Sequence, residues 1–254
     1  MSNKAAFLRA FACALLLSPS LKAQEYIDAP ATTAVRGRVG AALDYKAAKG
    51  LHVGVEEELR FSEALRSYTT VSGTYKISKF LKAGVGYSLI ALDGEEGWAL
   101  RHRAYGDFTG SIKAGAWKFS LRERFQATYR PGEMNLYQNP RTALALKSRL
   151  KASYKFSDKP LEPYAGIEVR NTLNAVRFNE SLTHIDYNDI YLNRARLSLG
   201  CEWRLNKKNS FDFYTLWDYT YDKDIDAKKT GQLKSITYET GYRLTLGVTY
   251  SFAL

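Results

Sequence analysis

The stretch ITYETGYRLTLGVTYSFAL, from Ile236 to Leu254, decides how the rest of the chain is read. Ile236, Tyr238, Tyr242, Leu244, Leu246, Val248, Tyr250, Phe252 and Leu254 alternate with Thr237, Glu239, Gly241, Arg243, Thr245, Gly247, Thr249 and Ser251. A strand turns successive side chains to opposite faces. This segment therefore carries an aromatic and aliphatic face, backed by a face of hydroxyls, glycines and charge.

Upstream, the same alternation recurs in runs that begin near Val35, Leu51, Thr69, Leu81, Trp98, Trp117, Leu144, Ala165, Tyr191 and Phe211, which with the terminal run makes eleven. Most are about ten residues or longer, the length a tilted strand needs to cross a bilayer. None has helical period. Short turns (Ala47 to Gly50, Ser78-Lys79, Ala114-Gly115, Ser157 to Pro160, Asn206 to Asn209) alternate with longer polar links such as Pro131 to Pro140 and Asp222 to Lys234. The stretch leading to Asn188 has a weak pattern. Short turns at one end and longer loops at the other suit an antiparallel transmembrane β-barrel. Such barrels usually have an even strand count. The first and last runs both point the same way, so parity predicts a twelfth strand before Val35, with ten strands as the fallback.

The chain has 254 residues, with 18 Tyr, 12 Phe and 4 Trp. No run of about 18 apolar residues is present, which excludes a spanning helix and says nothing against a barrel. Lys4 and Arg9, the apolar run Ala10 to Leu17 and Leu21-Lys22-Ala23 read as a signal peptide over residues 1–23. A single barrel domain over 24–254 would follow. Cys13 lies inside the apolar run, a poor place for lipidation. Loss of Lys4, Arg9 and Lys22 would leave 34 basic against 26 acidic residues. For an exported chain, that excess points to anionic lipid or small anionic solutes rather than nucleic acid. Cys201 would be the remaining cysteine, so neither a disulfide within the chain nor a cysteine metal cluster is expected.

The charges sort to one side. Arg36, Arg38, Arg60, Arg101, Arg103, Arg122, Arg124, Arg149, Arg170, Arg194, Arg196, Arg204 and Arg243 fall on the faces opposite the aromatics, with Glu56, Glu58, Asp107, Glu168, Glu202, Asp212, Asp218 and Glu239. Lys or Arg on a lipid face costs roughly 2–4 kcal/mol near the midplane. These residues are therefore assigned to the lumen, where they would form an ion-pair lattice or line a solute path. Trp98, Trp117, Trp203, Trp217, Tyr250 and Phe252 are assigned to an outward aromatic girdle. Glu57, Glu123 and His102 break the rule, which predicts strand ends, protonation or bulges there. The alternative is a soluble sandwich or lipocalin-like barrel with the aromatics inside, but about eight strands already fill such an interior.

Several motifs carry a resemblance. Tyr250-x-Phe252-x-Leu254 resembles the aromatic last strand that the barrel assembly machinery reads, with Leu in place of Phe at the end. Glu58-Leu59-Arg60-Phe61, Leu121-Arg122-Glu123-Arg124-Phe125, Leu146-Lys147-Ser148-Arg149-Leu150, Pro163 to Glu168, Arg196 to Gly200 and Trp203 to Lys208 together resemble a Bacteroidota outer-membrane β-barrel family known as domain of unknown function 2490. The resemblance covers essentially the mature chain. It implies a barrel in the outer membrane of a Gram-negative bacterium, in contact with lipid and lipopolysaccharide, and no established activity.

Catalytic signals are sparse. His52, His102 and His184 are the histidines, and glycine-loop nucleotide motifs, zinc-protease motifs and nucleophile elbows are absent. No cofactor, metal or catalytic residue is expected. The acids Glu56 and Glu58 share a face with Arg60, and Arg36 and Arg38 are expected across from them. The leading expectation is a non-enzymatic, porin-like barrel, either a narrow arginine-lined pore or a solute-binding barrel for small anions. A sealed barrel that anchors or contacts surface partners through its loops is the alternative, and a lipid-modifying enzyme using His102 or His184 is a third.

Overall fold

The computed structural model describes residues 27–62, 64–94 and 97–254, all of them strand or connection. The expected signal peptide lies outside these residues. The order is β1 Ile27–Asp28, β2 Thr32–Ala48, β3 Leu51–Phe61, β4 Arg66–Lys76, β5 Leu81–Gly94, β6 Gly97–Ala114, β7 Trp117–Tyr129, β8 Thr142–Tyr154, β9 Leu161–Phe178, β10 His184–Arg204, β11 Asn209–Ala227 and β12 Leu233–Ala253. From β2 to β12 each strand pairs antiparallel with the next. The ring closes through a parallel β12–β2 ladder, from Gly241 opposite Thr32 to Ala253 opposite Asp44.

The barrel wall therefore has eleven strands. The twelfth strand that parity demanded exists only as the two residues of β1, which pair with Thr237 and Tyr238 on the same edge of β12 that β2 uses. β1 and β2 are one edge interrupted at Ala29-Pro30-Ala31. Proline has no N–H to give to a ladder, so the pairing lapses there. Parity fails as a guide because β2 and β12 run the same way, and a parallel ladder closes a ring with an odd number of strands.

The two ends of the barrel differ. At the turn end, the connections 49–50, 77–80, 115–116, 155–160 and 205–208 are short. At the other end, the chain between β7 and β8 is longest, and β9 to β12 run to 18–21 residues and project as two hairpins. The segment read as a loop from Asp222 to Lys234 is mostly strand, since β11 and β12 pair from Asn209–Phe252 up to Ala227–Leu233. Its charges hid a short apolar row. Ile225, Ala227 and Leu233 are buried with Val176, and Tyr137, Phe178, Tyr187 and Ile236 pack against them. The weakly patterned stretch before Asn188 is also paired. Four register shifts between His184 and Arg194 break its period of two.

The apolar face points out. Val35, Val85, Phe108, Ile167 and Leu246 are all more than half exposed, and Trp98, Trp117, Trp203 and Trp217 stand on the same side. A belt of this extent greatly exceeds the apolar patch a soluble monomer exposes. It fits the hydrocarbon of a bilayer, and the antiparallel transmembrane barrel read from the sequence is the fold found.

Glu57, Glu123 and His102 do lie on this outward face, yet no bulge accompanies them. A hydroxyl on an adjacent strand answers each one: Thr69 at 2.5 Å and Ser67 for Glu57, Ser148 at 2.6 Å for Glu123, and Tyr87 at 2.5 Å for His102. Those contacts, rather than a change of register, lower the cost of a polar group facing lipid.

Candidate functional site

Because side chains alternate along every strand, the inward positions of neighbouring strands fall in rows across the sheet. One row runs Arg38 beside Arg60, then Arg60 beside Arg66. Another runs Arg124, Lys147, Arg170 and Arg194 across β7 to β10, and a third Arg122, Arg149, Glu168, Arg196, Asp218 and Arg243 across β7 to β12. Closing the sheet turns these rows toward one axis.

In the half of the lumen nearer the long hairpins they enclose a chamber of about 270 Å³. Arg36, Arg38, Arg60, Arg66, Arg101, Arg103, Arg130, Lys147, Arg170, Arg194, Arg196 and Arg243 line it, with Tyr68, Ile90, Leu92, Gln126, Thr128 and Ala143. Among the described lining residues twelve are cationic, and one, Asp218, is acidic. That acid is taken by Arg196 through both oxygens, at 2.5 and 2.8 Å. Two guanidinium groups about 5 Å apart repel by roughly 3 kcal/mol at an effective dielectric constant of 20. A chamber of this composition concentrates positive charge in one part of the lumen.

Beneath the chamber lies a belt of ion pairs. Glu58 receives Arg60 and lies 3.8 Å from Arg38. Glu168 bridges Arg194 at 2.6 Å and Arg122 at 3.2 Å, with Arg149 opposite it on β8. Arg124 donates to Asp107, its Nε at 2.8 Å, and the guanidinium lies 3.7 Å above the Tyr105 ring. Tyr214 on β11 reaches Glu58 on β3 at 3.5 Å, over the intervening β12 and β2. Nearer the turn end, Tyr164 donates to Asp212 at 3.0 Å, while Arg204 holds Glu162 at 2.6 Å and Glu202 at 2.8 Å. The tyrosines fit because glycines face them. A Cβ on Gly86 would stand 2.3 Å from the Tyr105 ring, and one on Gly247 2.3 Å from Tyr214.

Above the chamber is a vestibule of about 520 Å³, which shares Arg130, Ala143 and Arg170 with it and carries Asp222, Asp224 and Glu239. The β7–β8 connection folds over this side. Asn135 Nδ2 donates to the Ala227 carbonyl at 2.6 Å, Gln138 to Asp226 at 3.2 Å, and the Tyr187 hydroxyl to the Leu136 carbonyl at 3.0 Å.

The lumen residues assigned from the sequence thus separate by height. Arg36, Arg38, Arg60, Arg101, Arg103, Arg170, Arg194, Arg196, Asp218 and Arg243 meet in the chamber. Glu58, Glu168, Asp107, Arg122, Arg124 and Arg149 belong to the belt, Glu202, Arg204 and Asp212 lie below it, and Glu239 lies above. Glu58, rather than Glu56, takes the arginines, because β2 is offset so that Arg38 stands opposite Arg60 and Glu56 opposite Ala42. Arg66, Arg130 and Lys147 also line the chamber; alternation puts Arg130 and Lys147 on the lumen face without singling them out. Arg66 was lost in a polar link, although it has the parity of Tyr68.

The histidines do not gather around a nucleophile. His52 bonds Asp44 at 2.8 Å and His102 bonds Tyr87. His184 sits among the rings of Tyr137, Phe178 and Tyr187, with centroids 4.9–6.2 Å away. Ser67, on the outward face with His102, donates to Glu57 and is separated from the β6 histidine by all of β5.

Fold and lumen together define a membrane-type β-barrel with a cationic interior. Residues 39–229 match the family described as "Protein of unknown function (DUF2490)", and the chain belongs to that family. No curated protein matches it. Among solved structures it is similar to a bacterial polysaccharide outer membrane secretin, at 12% identity and a TM-score of 0.45, over 75% of this chain and 63% of that one. The chain thus spans less than two thirds of that secretin. It is also similar to the NanC porin, at 12% identity and a TM-score of 0.46, over 86% of this chain and 98% of that one. The translocator domain of the autotransporter NalP from Neisseria meningitidis matches at 15% identity and a TM-score of 0.32, over 68% and 70% of the two chains.

Proposed function

We propose that this chain is a non-enzymatic outer-membrane barrel of a Gram-negative bacterium, of the Bacteroidota as the sequence resemblance implies, whose lumen accepts small anions as a narrow pore or a solute-binding chamber. The observation that carries the reading is the ratio, among the described residues, of twelve cationic side chains to one carboxylate around the chamber. Rings of Arg and Lys attract anions and repel cations. The outward belt meets acyl chains and lipopolysaccharide, the assembly machinery reads the last strand, and nucleic acid is not a partner.

One observation favours a second reading. The Glu58–Tyr214 contact and the Glu168 bridge tie inward side chains of different strands together below the chamber, as would suit a sealed barrel that serves as an anchor or surface-contact protein. Planar bilayers separate the two. Folded protein in a salt gradient should give small conductance steps and a reversal potential on the anion side. A cation preference would overturn the anion reading. Silence from well-folded protein would retire the pore and leave the binding chamber.

A further inference from the structure

We infer that the chamber is built for a compact polyvalent oxyanion of the diphosphate or triphosphate kind, rather than for halide or an acidic sugar chain; this rests on the anion-accepting reading above. Among the described residues, Arg66, Arg101, Arg103, Arg130, Arg170 and Arg243 line the chamber without a carboxylate within 4 Å, and so does Lys147. The buried Nε–H groups of Arg66, Arg130 and Arg170 have no hydrogen-bond acceptor. A buried donor left unsatisfied costs roughly 1–3 kcal/mol. These three arginines, on β4, after β7 and on β9, line the chamber from different sides of the barrel.

Three properties of the inferred oxyanion follow. It offers oxygen pairs, because a guanidinium fork matches phosphate or carboxylate in bidentate fashion and a spherical halide cannot. It carries several charges, because the cations without a carboxylate outnumber any single one. It is also compact. The chamber of about 270 Å³ lies just below the roughly 300–1,000 Å³ range of ordinary small-molecule sites. Groups that would read sugar hydroxyls are already committed: Gln126 Nε2 donates to Thr128 at 3.2 Å, Arg103 Nε also donates to Thr128 at 3.2 Å, and Arg60 covers the Tyr68 ring at 3.6 Å. Entry is from the long-hairpin side, where Arg130 and Arg170 line both the vestibule and the chamber.

The experiment is calorimetric titration of the purified full chain in neutral detergent with inorganic triphosphate, chloride and glucuronate as separate probes. Triphosphate should bind at least tenfold more tightly than either monovalent anion, with an affinity that falls steeply with salt. Arg66→Gln combined with Arg170→Gln should weaken triphosphate at least tenfold, while heat-dependent gel mobility shows the barrel still folded. Equal affinity for triphosphate and chloride, or tighter binding of glucuronate, would overturn this inference and leave the anion-accepting reading standing. No anion binding at all, with cation-side reversal in bilayers, would overturn both. Vesicles of a phosphate-monoester lipid should not displace triphosphate; displacement would assign the phosphate to a headgroup and overturn the free-solute inference. Should the double variant fail to fold, Lys147→Gln alone gives the same comparison.

Discussion

Replacing Glu168 by glutamine should destabilise the barrel by about 3–5 kcal/mol, the cost of breaking a buried ion pair and leaving its partner uncompensated. Glu168 is 6% exposed and accepts from Arg194 and Arg122, while Arg149 and Arg196 stand opposite it on the two neighbouring strands. Among the described acids, Glu58 also pairs with two arginines, but Glu168 has two more standing opposite it on the neighbouring strands. Equilibrium unfolding by guanidinium in detergent micelles measures the loss as a lower midpoint at an unchanged slope. Adding Arg194→Met to Glu168→Gln should recover part of it, because removing both members of a buried pair costs less than removing one. Inorganic triphosphate should also recover part of it, by neutralising the same guanidiniums from the chamber side. A loss below about 1 kcal/mol in the single variant would mean that the belt does not depend on this carboxylate.

The second large effect is on the opposite face. Leu199→Arg should cost about 2–4 kcal/mol, the penalty for a lipid-facing cation near the bilayer midplane. Leu199 is outward, opposite Ala165 on one side and Thr215 on the other, and stands two repeats of the alternating pattern in from Trp203. Leu205→Arg provides the comparison. Leu205 is equally apolar and exposed, but it lies in the 205–208 turn, where a cation reaches water and a change within about 0.5 kcal/mol is expected. Refolding into vesicles and titrating both variants with urea reads the difference. If the two substitutions cost the same, the outward belt is not facing hydrocarbon.

Much of this molecule was legible because the code for a barrel wall is local. Alternation along Ile236 to Leu254, and along the ten runs before it, needs only the pleat of a single strand, so the aromatic and charged faces could be separated without knowing any partner. The same reasoning failed wherever a strand departs from a clean period of two. His184 to Arg194 is paired through repeated register shifts, which scramble parity in the sequence. The tips of β11 and β12 carry so much charge between Asp222 and Lys234 that the buried row Ile225, Ala227 and Leu233 reads as loop in the sequence. Arg66 escaped because four residues of connection separate it from β3.

From the residues alone came the class of fold, the face each side chain shows and the cationic character of the interior, since alternation and charge are properties of the chain itself. The height of each charge was decided only on closure. Which arginines meet in a chamber and which are spent on Glu58, Glu168 and Asp218 depends on the offset between adjacent strands, and that offset is fixed by pairing between segments far apart in sequence. The odd strand count was settled the same way. It follows from a parallel β12–β2 seam, and the direction in which a ring of strands meets itself is written in no single stretch of it.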